Sequence, residues 1–325
     1  MTMFSRAAIA ALLLLQGTAI VRAETWPSRS ITMVVGFAPG GGTDVLGRII
    51  AKRLSEVLGQ QVIVENVGGA GGMVGSARVV KAAPDGYTIV LGSRADAINQ
   101  TLYKKPLYDL RTDLLPVVLI ADQPTVLIAR PNFPATNLAE LIAYVKKNQD
   151  SIKFASAGAG STGHLDCVRF NAAIGVKVTH VPYRGGGPAM QDLIGDRVDY
   201  ICTLSATAVP QIESKLVKPI AVFSPARVPM LPDMPTAKEQ GFTSFEASTW
   251  FGLMVPKGTP DAIIKRLHDA TVEAMNTPSV QEQALKTGSL IVPPEKRSTE
   301  FFRKYVEDEI GVNAEPIKAT GAVIE

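Results

Sequence analysis

The residues best placed to do chemistry are glycines and hydroxyls that follow apolar runs. Phe37-Ala38-Pro39-Gly40-Gly41-Gly42-Thr43-Asp44 comes directly after the apolar residues 31–36. A buried strand ends there, three glycines turn the chain, and a helix is expected from Thr43 or Asp44. Glycine removes the Cβ that would hold a ligand off the backbone. The first N–H groups of the helix lack partners within it, and its dipole adds partial positive charge. Phe37, Pro39, Gly40 and Gly41 are therefore candidates for an anion site. Asp44 is either a first-turn acid or the group that orients the glycine loop or a bound water.

Three further corners repeat the device. Ser156-Ala157-Gly158-Ala159-Gly160-Ser161-Thr162-Gly163-His164 places Gly158, Gly160 and Gly163 in the G-x-G-x-x-G pattern of dinucleotide-binding folds. That pattern also needs an acid at the end of the next strand. Here Val178-Thr179-His180-Val181-Pro182-Tyr183-Arg184 has none, so only Arg184 could meet a 2′-phosphate, and no cofactor is expected. Ser156, Ser161 and Thr162 read instead as neutral donors for a small anion at a helix N-terminus. Asn66-Val67-Gly68-Gly69-Ala70-Gly71-Gly72 is a third corner, contributing Gly71, and Gly92-Ser93 a fourth, whose hydroxyl faces the same crevice. Ligands of open α/β sheets sit outside the carboxyl ends of the strands, where all four corners fall.

Catalysis is poorly supported. Ser161 and His164 suggest an exported hydrolase, the main rival reading. A nucleophile elbow needs glycine where Ala159 stands, and side chains three apart at a helix start seldom form a nucleophile–base pair. His164 caps, packs or touches a ligand; His180 is read as a structural histidine in a strand, and His268 as solvated. No H-E-x-x-H, P-loop or C-x-x-C motif occurs, and no metal site is expected. Cys167 and Cys202 are the only cysteines, too few for a zinc cluster. They form a disulfide in an oxidising compartment, or else remain two buried thiols.

The elements that must position these residues alternate. Strands are expected at 31–36, 61–65 and 88–92, with helices at 44–58 and 72–82. Helix 44–58 carries Val45, Ile49, Leu54 and Leu58 at helical spacing. After Gln123-Pro124-Thr125 a second alternation begins: strands at 151–157, 176–181, 199–204 and 217–224, with helices at 161–174, 188–195 and 206–213. Prolines 225, 229, 232 and 235 interrupt it. A strand at 250–255 and helices at 260–275, 279–286 and 298–319 close the chain. Val- and Ile-rich strands without polar alternation imply parallel sheets covered on both faces. The expected division is residues 24–125 plus 249–325 as lobe 1 and 126–248 as lobe 2. The alternative is one continuous doubly wound sheet.

Residues 1–23 read as a signal peptide: Arg6 before an apolar run at 7–15, then Val21-Arg22-Ala23 as the cleavage site. The run is too short to span a bilayer, so the mature chain is expected to be exported. The whole chain carries a net charge of only +3, without a basic tract or nucleic-acid motif. Anion selectivity must therefore be local.

With these corners located, the chain resembles the substrate-binding proteins of tripartite tricarboxylate transporters, the Bug family. The likeness runs from about Trp26 to the C-terminus. It is carried by 37–44, 66–72, Pro84-Asp85-Gly86-Tyr87-Thr88, 155–165, Val181-Pro182-Tyr183-Arg184-Gly185-Gly186, and Trp250-Phe251-Gly252-Leu253-Met254-Val255 running into Pro256-Lys257-Gly258-Thr259-Pro260. The resemblance implies an α/β, two-lobed periplasmic binding protein of the Venus flytrap kind (type II-like), each lobe a mainly parallel sheet flanked by helices. It implies a monomer that captures a small organic carboxylate and delivers it to permease subunits. One carboxylate is held by Phe37, Gly41 and Asp44 of one lobe and Ser156, Ser161 and His164 of the other. Pro182, Tyr183 and Thr203 complete the candidates. Many relatives present an acid where this chain has Thr203, which implies a dicarboxylic or uncharged-tail acid as ligand, not an amino acid.

Overall fold

The computed structural model describes residues 26–243, 245–320 and 324. The expected signal peptide, residues 1–23, lies outside the described residues. The chain opens with β1 (Ile31–Val35), α1 (Gly42–Leu58), β2 (Val62–Asn66), a 3-10 turn (Ala70–Gly72), α2 (Met73–Val80), β3 (Thr88–Ser93) and α3 (Arg94–Leu102). Next come the long strand β4 (Leu114–Ala129), α4 (Leu138–Asn148), β5 (Lys153–Ser156), α5 (Thr162–Ala173), β6 (Thr179–Pro182) and α6 (Gly186–Ile194). There follow β7 (Tyr200–Leu204), α7 (Ser205–Glu213), β8 (Lys218–Val222) and β9 (Ser248–Pro256). The C-terminal part holds α8 (Asp261–Asn276), α9 (Pro278–Lys286), β10 (Leu290–Ile291) and α10 (Thr299–Thr320).

The strands lie in the order β2-β1-β3-β9-β4-β7-β5-β6, with β8 and β10 also pairing with β4. Pairs β1/β2, β1/β3, β5/β6 and β5/β7 are parallel. Strands β4 and β9 supply the antiparallel joints. Strand β4 serves two sheets in succession: Leu114–Pro124 pairs with β9, and Thr125–Ala129 pairs with β7. Hydrogen bonding is thus continuous through β4 while the packing divides. One core cluster gathers Met33, Leu46, Ile50, Val118 and Phe251 around β1, β3 and β9. Beyond residue 125, alternate residues of β4 enter opposite layers: Leu127 packs with Phe154, Phe170 and Phe223, and Val126 and Ile128 pack with Ala189, Ile201 and Val222. The fold is α/β and two-lobed, with a curled sheet.

Several expectations shift by a residue or two. Helix α1 starts at Gly42, capped by extended Gly41, and ends at left-handed Gly59. Its buried face runs Leu46–Ile50–Leu54–Leu58; Val45 and Ile49 lie half-buried on the flank. Strand β4 (114–129) is not among the expected strands, and it carries Pro116 and Pro124, which lack the N–H a ladder uses. Pro116 sits beside a register shift and Pro124 at the last β9 pair, where a missing N–H does least harm. Helices α3 and α4 were also unexpected. His268 is half-buried, its Nε2 3.0 Å from the Arg297 carbonyl oxygen, rather than solvated. Among the described residues no helix is long and apolar enough to cross a membrane.

Candidate functional site

Between the lobes lies a cleft lined by the starts of five helices. Gly41, Gly42 and Thr43 belong to α1; Ser93 caps α3; Ser161, Thr162 and Gly163 open α5. Gly186 begins α6, and Leu204 and Thr207 begin α7. Phe37, Ala157, Cys202, Thr203 and Thr249 complete the wall, and no charged side chain is among them. The enclosed volume is about 30 Å³. Five positive dipole ends and a set of hydroxyls, in a wall without cations, form a site for an anion held by neutral donors.

The local sequence explains this geometry. A Cβ on Gly42 would lie 2.4 Å from Gln123 Oε1 and 2.9 Å from Leu204 Cβ, so the glycine lets α1 sit close to β4 and to the start of α7. The Gly42 N–H donates to Thr207 Oγ1 of the facing lobe at 2.8 Å. Asp44 does not face the cleft. Its carboxylate accepts from Gly40 N–H, Arg48 Nε and Asn66 Nδ2 at 3.0, 3.1 and 2.9 Å. Burial works against its ionisation, but the Arg48, Gly40 and Asn66 hydrogen bonds outweigh it and hold the carboxyl below its ordinary value. Asp44 orients the glycine loop, and Asn66 fixes the loop's other end through the Phe37 carbonyl at 2.9 Å.

On the opposite side, Ser161 accepts from the His164 backbone N–H at 3.2 Å, making it the N-cap of α5. The His164 ring accepts at Nδ1 from Gly160 N–H at 3.4 Å and packs at a tilt against His180, with centroids 4.3 Å apart. Burial pushes His164 down to about 4, so it is neutral at pH 7. Ser156 is fully buried; its hydroxyl lies 2.7 Å from His180 Nε2 and accepts from Gly158 N–H at 3.1 Å. Ser156 and His164 therefore shape the second loop from behind. The Ser161 hydroxyl is engaged as a cap, and the structure does not offer it to His164 as a nucleophile to a base.

Of the sequence candidates, Phe37, Gly41, Ser93, Ser161 and Thr203 meet in the cleft. Gly71, Gly158, Pro182 and Tyr183 line a neighbouring opening of about 610 Å³ that shares Ala157 with the cleft. Pro39 and Gly40 are exposed on the rim, because the loop turns outward before α1 begins. Cys167 and Cys202 are joined as a disulfide, with Cα atoms 5.4 Å apart, which ties α5 to β7 beside the cleft. Thr162, also read as a neutral donor, lines the cleft with Ser161. Sequence reasoning missed Gly42, Thr43, Gly163, Gly186, Thr207 and Thr249. The first five lie at helix starts after strand ends, so the strand-end rule could have found them. Thr249 lies near the start of an antiparallel strand and carries no signal. It is 1% exposed, and its Oγ1 has no hydrogen-bond partner.

A family model described as the tripartite tricarboxylate transporter family receptor matches residues 46–321. The periplasmic binding protein BugD is 39% identical, with a TM-score of 0.90 over 92% of this chain and 100% of that one. MatC from Rhodopseudomonas palustris, solved with bound malate, is 36% identical, with a TM-score of 0.87 over 90% and 100% of the two chains. A second R. palustris protein, solved with adipate, is 33% identical, with a TM-score of 0.87 over 91% and 98%. These are solute-binding receptors and not enzymes. The chain belongs to the tripartite tricarboxylate transporter receptor family.

Proposed function

We propose that this protein is a monomeric periplasmic receptor that captures a small dicarboxylate between its lobes and hands it to membrane permease subunits. The observation that carries the reading is the convergence of five helix N-termini on a cleft without a charged side chain. A carboxylate gains dipole stabilisation and hydrogen bonds there. An ammonium group would be desolvated with no carboxylate to meet it. The relatives holding malate and adipate support the same class. Lobe 1 comprises residues 24–125 and 249–325, lobe 2 residues 126–248. The cleft lies between the lobes, so capture requires them to part and close again, the ligand stabilising the closed form by bridging both.

The test is a thermal-shift screen of refolded, ligand-stripped protein against mono-, di- and tricarboxylates, amino acids and nicotinamide nucleotides. A ligand at about 100 times its Kd adds about 2.7 kcal/mol, a rise of several degrees in a chain of this size. A shift with dicarboxylates is expected, with malate above aspartate. Aspartate above malate, or a shift with nucleotides alone, would overturn the reading. Thr249 sharpens it. Replacing Thr249 with Val removes an unpartnered buried hydroxyl, so the ligand-free protein should lose no stability. Affinity should fall about tenfold, roughly 1.4 kcal/mol, if that hydroxyl meets the ligand. Calorimetric titration at unchanged affinity would remove Thr249 from the site.

A further inference from the structure

At the cleft rim the lobes meet backbone against backbone. A Cβ built on Gly187, the second residue of α6, would lie 2.5 Å from the Pro39 carbonyl oxygen, and its three nearest atoms all belong to the facing lobe. A Cβ on Gly68 would lie 2.8 Å from the Arg184 carbonyl oxygen, and one on Gly71 2.4 Å from the Gly160 carbonyl carbon. A Cβ on Gly41 would lie 3.3 Å from the Gly186 nitrogen, tighter than ordinary van der Waals contact. The Ala38 N–H donates across this seam to the Arg184 carbonyl at 3.0 Å. Of these glycines only Gly71, at φ 59°, has a backbone that disfavours a side chain. Gly187 lies within a helix, where alanine is the better residue. Its missing side chain does nothing for its own lobe. It lets the other lobe come close.

We propose that the seam glycines, Gly187 foremost, set how far the lobes close and are positioning residues for ligand capture. A Cβ on Gly187 or Gly41 holds the starts of α1 and α6 apart, and one on Gly68 or Gly71 parts the loops beside them, so one ligand no longer reaches donors of both lobes. The inference rests on the carboxylate-receptor reading for its effect on affinity, though not for its effect on closure.

Two measurements on Gly187→Ala test it, with Gly311→Ala as control, since a Cβ on exposed Gly311 meets nothing within 4 Å. The first is calorimetric titration with malate and adipate, alongside thermal unfolding of the ligand-free protein. Gly187→Ala should unfold no earlier than wild type yet bind at least tenfold more weakly, through faster release. Affinity within twofold of wild type would overturn the proposal. Earlier unfolding without ligand would assign Gly187 to packing within its lobe, and also overturn it. The second needs no ligand. Small-angle X-ray scattering of the ligand-free proteins should give Gly187→Ala a larger radius of gyration than wild type and Gly311→Ala; an equal radius would refute it. If wild type binds neither acid while the Gly187→Ala radius is larger, the ligand reading fails and the closure proposal stands.

Discussion

The lobes touch along two strips of opposite character. Around α3, α5 and α10 the contact is made by side chains: Ile98, Leu102, Leu165 and Ile317 form an apolar cluster. Beside it Arg94 Nη1 meets Asp166 Oδ1 at 3.0 Å, both residues buried. Asp166 also accepts from the Thr125 hydroxyl at 2.8 Å, and Arg94 donates to the Ser248 carbonyl at 3.1 Å and to Asn313 Oδ1 at 3.1 Å. Thr125 is where β4 passes from pairing with β9 to pairing with β7, and Ser248 opens β9. Along the cleft rim the contact is mostly glycine backbone, bridged by the Ala38–Arg184 peptide hydrogen bond and by three hydroxyls, Thr207 accepting from Gly42 N–H, Tyr103 donating to the Ala159 carbonyl and Ser205 to the Gly288 carbonyl. Separating the first strip would expose apolar surface and strip a buried charge of its partner, which is costly. Separating the second exposes peptide groups that water can satisfy. The pivot therefore belongs at the first strip and the opening at the second.

The largest way to break this contrast is Asp166→Ala. It leaves the Arg94 guanidinium buried without its counter-charge and should cost about 3–5 kcal/mol in denaturant unfolding. Replacing both partners with apolar residues, Arg94→Met with Asp166→Leu, should recover most of that loss. A single variant losing less than about 1 kcal/mol would deny the strip its anchoring role. Next in size is the disulfide. Cys167 and Cys202 are 35 residues apart, and removing the link by Cys167→Ala with Cys202→Ala should cost roughly 3–4 kcal/mol on loop entropy. Because the bond lies within one lobe, thermal stability should suffer more than ligand affinity. A larger loss of affinity than of stability would mean that the bond sets the cleft's shape.

What the sequence made legible were features written in local composition. Gly40 to Gly42, Gly71 and Ser161 mark strand–helix corners by residue type alone, and dipoles follow from helix starts. What stayed hidden depends on a partner far along the chain. Nothing near Gly187 says that Pro39 faces it, and nothing near Thr249 says that the start of β9 reaches the cleft. In strand β4, Pro116 and Pro124 break the local pattern, while tertiary pairing to β9 and a register shift accommodate them. Candidates such as Ser156, Gly158 and His164 fall in the right loop but support it. Residue type and spacing locate a loop and do not tell which of its sides faces a ligand.

The smallest effect concerns acid. His164 lies next to Leu165 of the apolar strip, and its ring supports Gly160, which faces Gly71 in the seam. Burial holds His164 neutral to about 4, and burial with the adjacent His164 holds His180 to about 3. The unfolded chain protonates both below about 6.5, so it binds more protons than the fold between pH 6.5 and 4. Stability from this pair is complete above pH 6.5 and is lost as pH falls, by up to about 1.4 kcal/mol per pH unit for each histidine. Asp122, pushed up to about 6 by burial, works in the opposite sense over part of this range, so the absolute curve is not diagnostic. The difference between wild type and His164→Asn is diagnostic, since asparagine keeps an acceptor for the Gly160 N–H without the titration. Its stability should fall less steeply from pH 6.5 to 4, and parallel curves would show that His164 is not held neutral by the fold. Unchanged ligand affinity at pH 7 would place the ring with the standing strip. Weakened affinity would place it with the seam, where a small displacement of Gly160 reaches Gly71 directly.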